Sequence, residues 1–318
     1  MEGNILTETY EKDKLFTDES ELNCVQACLC DIARRFRQPY ESIFVGLWKF
    51  EITKKVSLGK EYDGSFRELN EKMMNNLVKY TDVCYKVTSV EEIRNEYKGE
   101  GHIILVEFDT YDCPWSPGYL WKHFTYYIVI IGRENEKYVA YSPYDNISNI
   151  FITNDLLCKA LKVYDFFSRK DSATKLTANE IFTQIQESTR NRVIFDEMRE
   201  FAQKIAEIKD IRQIVTAEKL EDNLYVMRFA YFAKCRYCIS LMFKQYMPDG
   251  VIIDLFRKSS DLWGKMKYTF IRAILTSNIA IIKKGVHQLQ EVIQCEENAY
   301  SRIKRQSHEF FEQDQVVE

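Results

Sequence analysis

Glu21-Leu22-Asn23-Cys24-Val25-Gln26-Ala27-Cys28-Leu29-Cys30-Asp31-Ile32-Ala33-Arg34-Arg35-Phe36 sets Val25, Cys28, Leu29, Ile32, Ala33 and Phe36 at i, i+3, i+4, i+7, i+8 and i+11. That spacing draws one apolar stripe along a helix. Asn23 carries the short acceptor side chain that caps helices. Cys24 therefore takes the first helical position, off the main stripe and beside backbone N–H groups with no partner inside the helix.

A thiol in that position has a chemical use. The helix dipole and a nearby imidazolium both stabilise negative sulfur, and the same N–H groups can hold a developing oxyanion. A cysteine taken at random is more often a small buried residue, and Cys28, Cys30, Cys84 and Cys158 are read that way.

A cysteine nucleophile needs a base, and the chain offers four histidines. His287 and His308 fall in long helical periodicity and read as solvated or packed residues. His102 follows Gly99-Glu100-Gly101 and reads as a strand-end residue. His123 opens Phe124-Thr125-Tyr126-Tyr127-Ile128-Val129-Ile130-Ile131-Gly132, apolar on both faces and so a central strand. A histidine at the end of such a strand can face a helix N-terminus across a cleft.

The next run, Lys137 to Tyr141, leads into Ser142-Pro143-Tyr144-Asp145-Asn146. A hairpin of the two strands would return Asp145 to His123, where it could orient the imidazole.

Working outward, four of the five prolines and most of the eleven glycines precede residue 174, as do the β-rich runs at 103–108, 124–131 and 137–141. After Ser168-Arg169-Lys170-Asp171-Ser172 the chain turns to helical periodicity, with helices expected at 178–188, 192–208, 216–246, 249–257 and 260–308, the last broken near Ser277 or Gly285. The expected fold class is α+β: a papain-like domain over 1–172, with helices packed on an antiparallel sheet, followed by an all-α domain over 173–318. No internal repeat is visible, and residues 313–318 read as a frayed tail.

Composition narrows the function classes. A net charge of −4 argues against a dedicated nucleic-acid binder. Neither a signal peptide nor a run of about 18 apolar residues is present, so no membrane partner is expected. Nine cysteines without a regular framework fit free thiols in a reducing compartment, and the expected location is the cytoplasm. Cys235-Arg236-Tyr237-Cys238 lies within a helical run without further ligands and reads as packing rather than metal binding. No phosphate-cradling glycine loop occurs, so no cofactor is expected.

The order of a helix-borne Cys24, a strand-borne His123 and a later Asp145 resembles papain-like enzymes of the bacteriocin-leader peptidase and transglutaminase type. Asn23-Cys24 with its helix, together with Ile103-Ile104-Leu105-Val106-Glu107-Phe108-Asp109-Thr110-Tyr111-Asp112-Cys113-Pro114-Trp115, Tyr119, His123 and the strand ending at Gly132, resembles more closely the N-terminal domain family of butirosin biosynthesis protein H. The resemblance covers roughly residues 20 to 150. It departs at Ser142, where the family usually places an acid immediately before the proline; Asp145, Ser142 or a plain Cys-His dyad then remain as alternatives.

The resemblance implies an acyltransferase that moves an acyl group from a carrier-protein thioester through a Cys24 acyl-enzyme to a small amine. The product is an amide, in antibiotic or nonribosomal-peptide assembly. Asp109, Tyr111, Trp115 and Tyr119 either wall the acyl or amine pocket or pack a long loop. A cysteine peptidase using the same residues, and a scaffold without chemistry, are the rival readings. The aromatic run Phe229 to Tyr246 is read as bundle core and edge, with covering the cleft, forming a homodimer or docking the carrier protein as its possible further roles.

Overall fold

The computed structural model describes residues 22–52, 61–97, 99, 101–169, 174–218, 220 and 223–314, the side chains of 61–67 and 308–314 excepted. The described residues form two compact units. One takes in the chain up to Ile43 together with Lys72–Lys175; the other joins Phe44–Glu71 to the part from Leu176 onward.

The first unit is built on a six-stranded antiparallel sheet of β1 (Val83–Thr88), β2 (His102–Asp109), β3 (Thr125–Glu134), β4 (Lys137–Ser142), β5 (Ile147–Ile152) and β6 (Lys162–Ser168), in the order β1-β6-β2-β3-β4-β5. β3 is interior, and its run Tyr126 to Ile130 is buried on both faces, which is why it lacks polar alternation. One face packs a cluster that includes Val106, Phe108, Ile128, Ile130, Tyr138, Ile150 and Val163. The expected runs at 103–108, 124–131 and 137–141 are β2, β3 and β4. β1, β5 and β6 were not foreseen, because each is a short run in which Lys86, Asn149 and Asp165 interrupt the apolar signal.

Helix α1 (Cys24–Arg35) packs on β3. The Cys28 thiol donates to the Tyr127 carbonyl at 3.6 Å. At the far end, Arg35 Nε donates to Asp31 and to the Tyr141 hydroxyl, both at 2.8 Å. Burial holds the Asp31 carboxyl above its ordinary value against the opposing charge of Arg35. Short helices α3 (Val90–Glu96) and α4 (Asn154–Leu157) complete the unit, while α2 (Glu61–Tyr80) crosses the boundary between units.

The second unit contains α5 (Ala178–Ser188), α6 (Val193–Ala206), α7 (Leu224–Tyr246), α8 (Gly250–Leu275) and α9 (Ile279–Asp314). A division at residue 172 falls at 170–173, outside the described residues, and assigns 44–71 to the first domain. The structure instead threads Trp48 and Phe50 into the helical core. Trp48 meets Phe256 edge-on at 4.8 Å and Phe50 lies 5.2 Å from Phe232. Arg236 also donates to the Lys49 carbonyl at 2.9 Å.

At the centre of this unit Glu296 is fully buried. It accepts two bonds from Arg236 at 2.9 Å, one each from the indoles of Trp48 (2.7 Å) and Trp263 (3.0 Å), and one from Ser259 (2.6 Å). The expected interruption between 257 and 260 is absent. Ser259 and Ser260 spend their hydroxyls on Glu296 and on the Ala233 carbonyl rather than on ending their own helix. The break falls at Ser277, which adopts φ 47°. Gly285 lies inside α9, where an added Cβ would stand 3.3 Å from the Phe270 ring. Residues 313 and 314 belong to α9, and the rest of the expected frayed tail lies outside the described residues. Cys235 and Cys238 are buried in α7, and burial pushes the Cys235 thiol up to about 11. Among the described residues no helix is long and apolar enough to cross a membrane.

Candidate active site

Cys24 is the first residue of α1 and half-buried. Asn23 caps the helix in both directions: its side chain accepts from Gln26 N–H, and the Gln26 side chain accepts from Asn23 N–H, each at 2.9 Å. The Asn23 carbonyl takes the Ala27 N–H at 3.0 Å. Cys24 thus opens the first turn of α1, where a helix N-terminus favours negative charge.

Cys28, one turn into α1, meets the Tyr127 carbonyl near the start of β3, while Arg35 at the other end of α1 meets Tyr141, which pairs with Val129. Burial, then the bond to Asp145, push the Tyr126 phenol well above its ordinary value, and the Cys24 charge adds to the shift. Burial, then the charges of Cys24 and Asp145, raise Tyr144. Tyr126 is near the start of β3 and pairs with Phe108 near the end of β2. The first turn of α1, with Cys24, therefore lies towards the end of the sheet where β3 begins.

His123 lies at that same end. Its Nδ1 is 2.8 Å from Asp109 Oδ2, and its ring stacks on Tyr111 at 4.7 Å with planes 10° apart. With Nδ1–H held by the carboxylate, Nε2 is the basic nitrogen, and the side chain is 71% exposed. His123 makes no hydrogen bond to Cys24. Catalytic pairs are often long or misaligned before substrate arrives.

The carboxylate against His123 is thus Asp109, and the expected pairing with Asp145 is corrected. Asp145 instead accepts from the Tyr126 hydroxyl and lies 3.3 Å from Ser142 Oγ, which itself bonds Tyr126 at 2.7 Å. Ser142 therefore does not orient the imidazole either. The reason is register. β4 pairs with β3 only as far as Val129–Tyr141 and then turns into β5 through Ser142–Ile147, well short of His123. β2 stays paired with β3 down to Asp109–Thr125.

The connection from Asp109 to His123 is braced. Thr110 N–H donates to the Phe124 carbonyl (2.8 Å), Thr110 Oγ1 to the Lys122 carbonyl (2.6 Å), and Leu120 N–H to the Tyr111 carbonyl (3.1 Å). The Cys113 thiol donates to the Asp109 carbonyl at 3.3 Å, and burial pushes this thiol up to about 12. Gly118 sits against Thr110, where an added Cβ would fall 2.9 Å from both Cβ and Oγ1. Gly118→Ala is expected to displace the Thr110 strap and cost about 1–3 kcal/mol, measured as a lowered midpoint in thermal unfolding. An unchanged midpoint would show that the loop yields freely.

Of the expected pocket residues, Asp109 and Tyr111 touch His123, and Tyr119 is exposed on the same loop. Trp115 instead packs against the core cluster, edge-on to Phe108 at 6.2 Å. Tyr126 was not anticipated, although a tyrosine just inside the strand that His123 opens was legible as a candidate. His102 also has a carboxylate, Asp165, at 2.8 Å. It begins β2, six residues or roughly 20 Å of extended chain from Phe108, and so lies away from Cys24. His287 faces Glu291 within α9, and the His308 side chain lies outside the described residues. Among the described residues no group of three His, Cys, Asp or Glu side chains is placed to hold a metal ion.

No family model matches this chain, and no curated protein matches it.

Proposed function

We propose that this chain is a cysteine-dependent acyltransferase of papain-like architecture, which takes an acyl group from a carrier-protein thioester and delivers it to a small amine as an amide. The observation that carries the reading is one end of the sheet. A capped helix presents Cys24 there, and a carboxylate-held imidazole presents an open Nε2. A buried helix bearing the cysteine at its start, packed on an antiparallel sheet, supports the papain-like assignment. The carrier-bound donor, the amine acceptor and the setting in antibiotic or nonribosomal-peptide assembly rest on the family resemblance.

In this mechanism His123 Nε2 takes the Cys24 proton. The thiolate attacks the thioester carbonyl, and the first-turn N–H groups receive the oxyanion. The donor C–S bond breaks, and the departing thiolate is protonated by His123. The amine then attacks the acyl-enzyme, His123 removes its proton, and the Cys24–acyl bond breaks to release the amide. Asp109 holds the imidazole in the required tautomer throughout.

Incubation with butanoyl-N-acetylcysteamine, followed by intact-mass and peptide mapping, is expected to place one butanoyl group on Cys24. Added glycinamide should discharge it as butanoyl-glycinamide. Release as butanoic acid alone, with cleavage of unactivated peptides, would make the protein a peptidase. No adduct on Cys24 would leave a scaffold. The exposed Cys158 is the internal control for adventitious acylation.

A further inference from the structure

Tyr119, Leu120, Trp121 and Phe124 are exposed to 41, 58, 57 and 39% within six consecutive residues next to His123. The other exposed large apolar side chains among the described residues, such as Val87 or Leu275, lie at least seven positions from the next along the chain. This group is held open by its backbone. Leu120 adopts φ 60°, a left-handed conformation uncommon for a side chain of its size. Its N–H donates to the Tyr111 carbonyl, and the Trp121 indole donates to the Pro117 carbonyl. The Lys122 ammonium stands 4.2 Å from the Phe124 ring centre and 5.5 Å from that of Trp121.

Tyr111 links the patch to the site, because it stacks on His123 and accepts from Leu120. Four side chains on one loop offer far less than the roughly 800 Å² per partner of a stable protein interface. Their extent suits a hydrocarbon chain, and a chain lying there would bring its carbonyl end to the imidazole.

We infer that Leu120, Trp121 and Phe124 form the platform for the acyl chain of the donor, and that the preferred donors carry extended apolar acyl groups rather than acetyl. The inference rests on the acyl-transfer reading and names the substrate class for it.

The test separates binding from chemistry. Calorimetry on Cys24→Ala compares octanoyl- with acetyl-N-acetylcysteamine; each methylene removed from water is worth about four-fold, so octanoyl is expected to bind at least ten-fold more tightly. Adding Leu120→Ser and Trp121→Ala should bring that ratio close to one, while Leu275→Ser leaves it unchanged and circular dichroism shows all variants folded. Equal affinities in the parent, or a ratio that survives the double substitution, overturns the platform. Loss of co-sedimentation with phosphatidylglycerol vesicles in the double variant, without a chain-length preference, also overturns it and assigns the patch to a lipid surface. Labelling of native Cys24 is read in parallel: chain-length-dependent binding without labelling keeps the platform and removes the transfer reading, and labelling without chain-length dependence does the reverse.

Discussion

His123→Ala is expected to slow acylation of Cys24 by about 10²–10⁴-fold, the range a positioned general base contributes, and Asp109→Asn is expected to fall in the same range. An asparagine can keep the contact to Nδ1 while favouring the wrong tautomer, the effect seen when the acid of a nucleophile-base-acid triad is made neutral. Asp145→Asn is the discriminating comparison. Asp145 bonds Tyr126 and Ser142 rather than the imidazole, so its loss should leave the acylation rate much closer to the parent. Single-turnover acylation followed by mass spectrometry measures all three. A collapse in Asp145→Asn with Asp109→Asn near the parent would return the acid's role to Asp145. Cys24→Ala, which removes the nucleophile, should form no adduct.

The second large effect is on stability. Arg236→Met leaves the buried Glu296 carboxylate without its bidentate partner, which costs about 3–5 kcal/mol. Glu296→Leu added to it removes the orphaned charge but leaves the Trp48 and Trp263 indoles without their acceptor, so recovery should be partial. Denaturant unfolding followed by circular dichroism reads both. A loss below about 1 kcal/mol in the single variant would show that water or another group reaches Glu296.

The pH dependence has a definite sign. Burial alone would raise the Glu296 carboxyl, but the Arg236 charge and the surrounding hydrogen bonds outweigh it and hold the group below its ordinary 4.5. A group depressed in the folded state contributes stability that is fully present above its unfolded value and is lost as pH falls through the folded one. The parent should therefore hold this contribution down to about pH 4.5 and lose it below. In Arg236→Met burial is unopposed and the carboxyl prefers its proton, so the variant's deficit should narrow between pH 7 and pH 4.

Much of the local structure is legible in the residues themselves. Asn23 followed by Gln26 three positions on spells a capping box, and the apolar stripe from Val25 to Phe36 spells the buried helix that follows it. The unbroken apolar run after His123 announces a central strand, and Thr177 caps α5 at the expected Ala178. These are short-range signals, carried by spacing within one turn or one strand.

Asp109 shows where such signals stop. It ends β2, 14 residues before His123, where composition marks it only as a candidate pocket wall, whereas Asp145 follows a visible hairpin and looks better placed. What selects between them is how far each neighbouring strand stays paired with β3, and ladder length is a cooperative property of the whole sheet. Trp48 and Phe50 are similar: nothing near them in the chain says that they belong to a core built from residues about 150 to 250 positions later.

The sequence by itself determined an α+β chain with a helical C-terminal part, a capped helix that begins at Cys24, and a histidine at the head of a central strand. These follow from periodicity and capping, which act over a few residues. Only the tertiary structure decided that Asp109 meets His123, that Asp145 serves Tyr126 and Ser142, and that residues 44–52 complete the helical core. Those outcomes depend on strand register and on the shape of a distant core, which no local pattern of residues encodes.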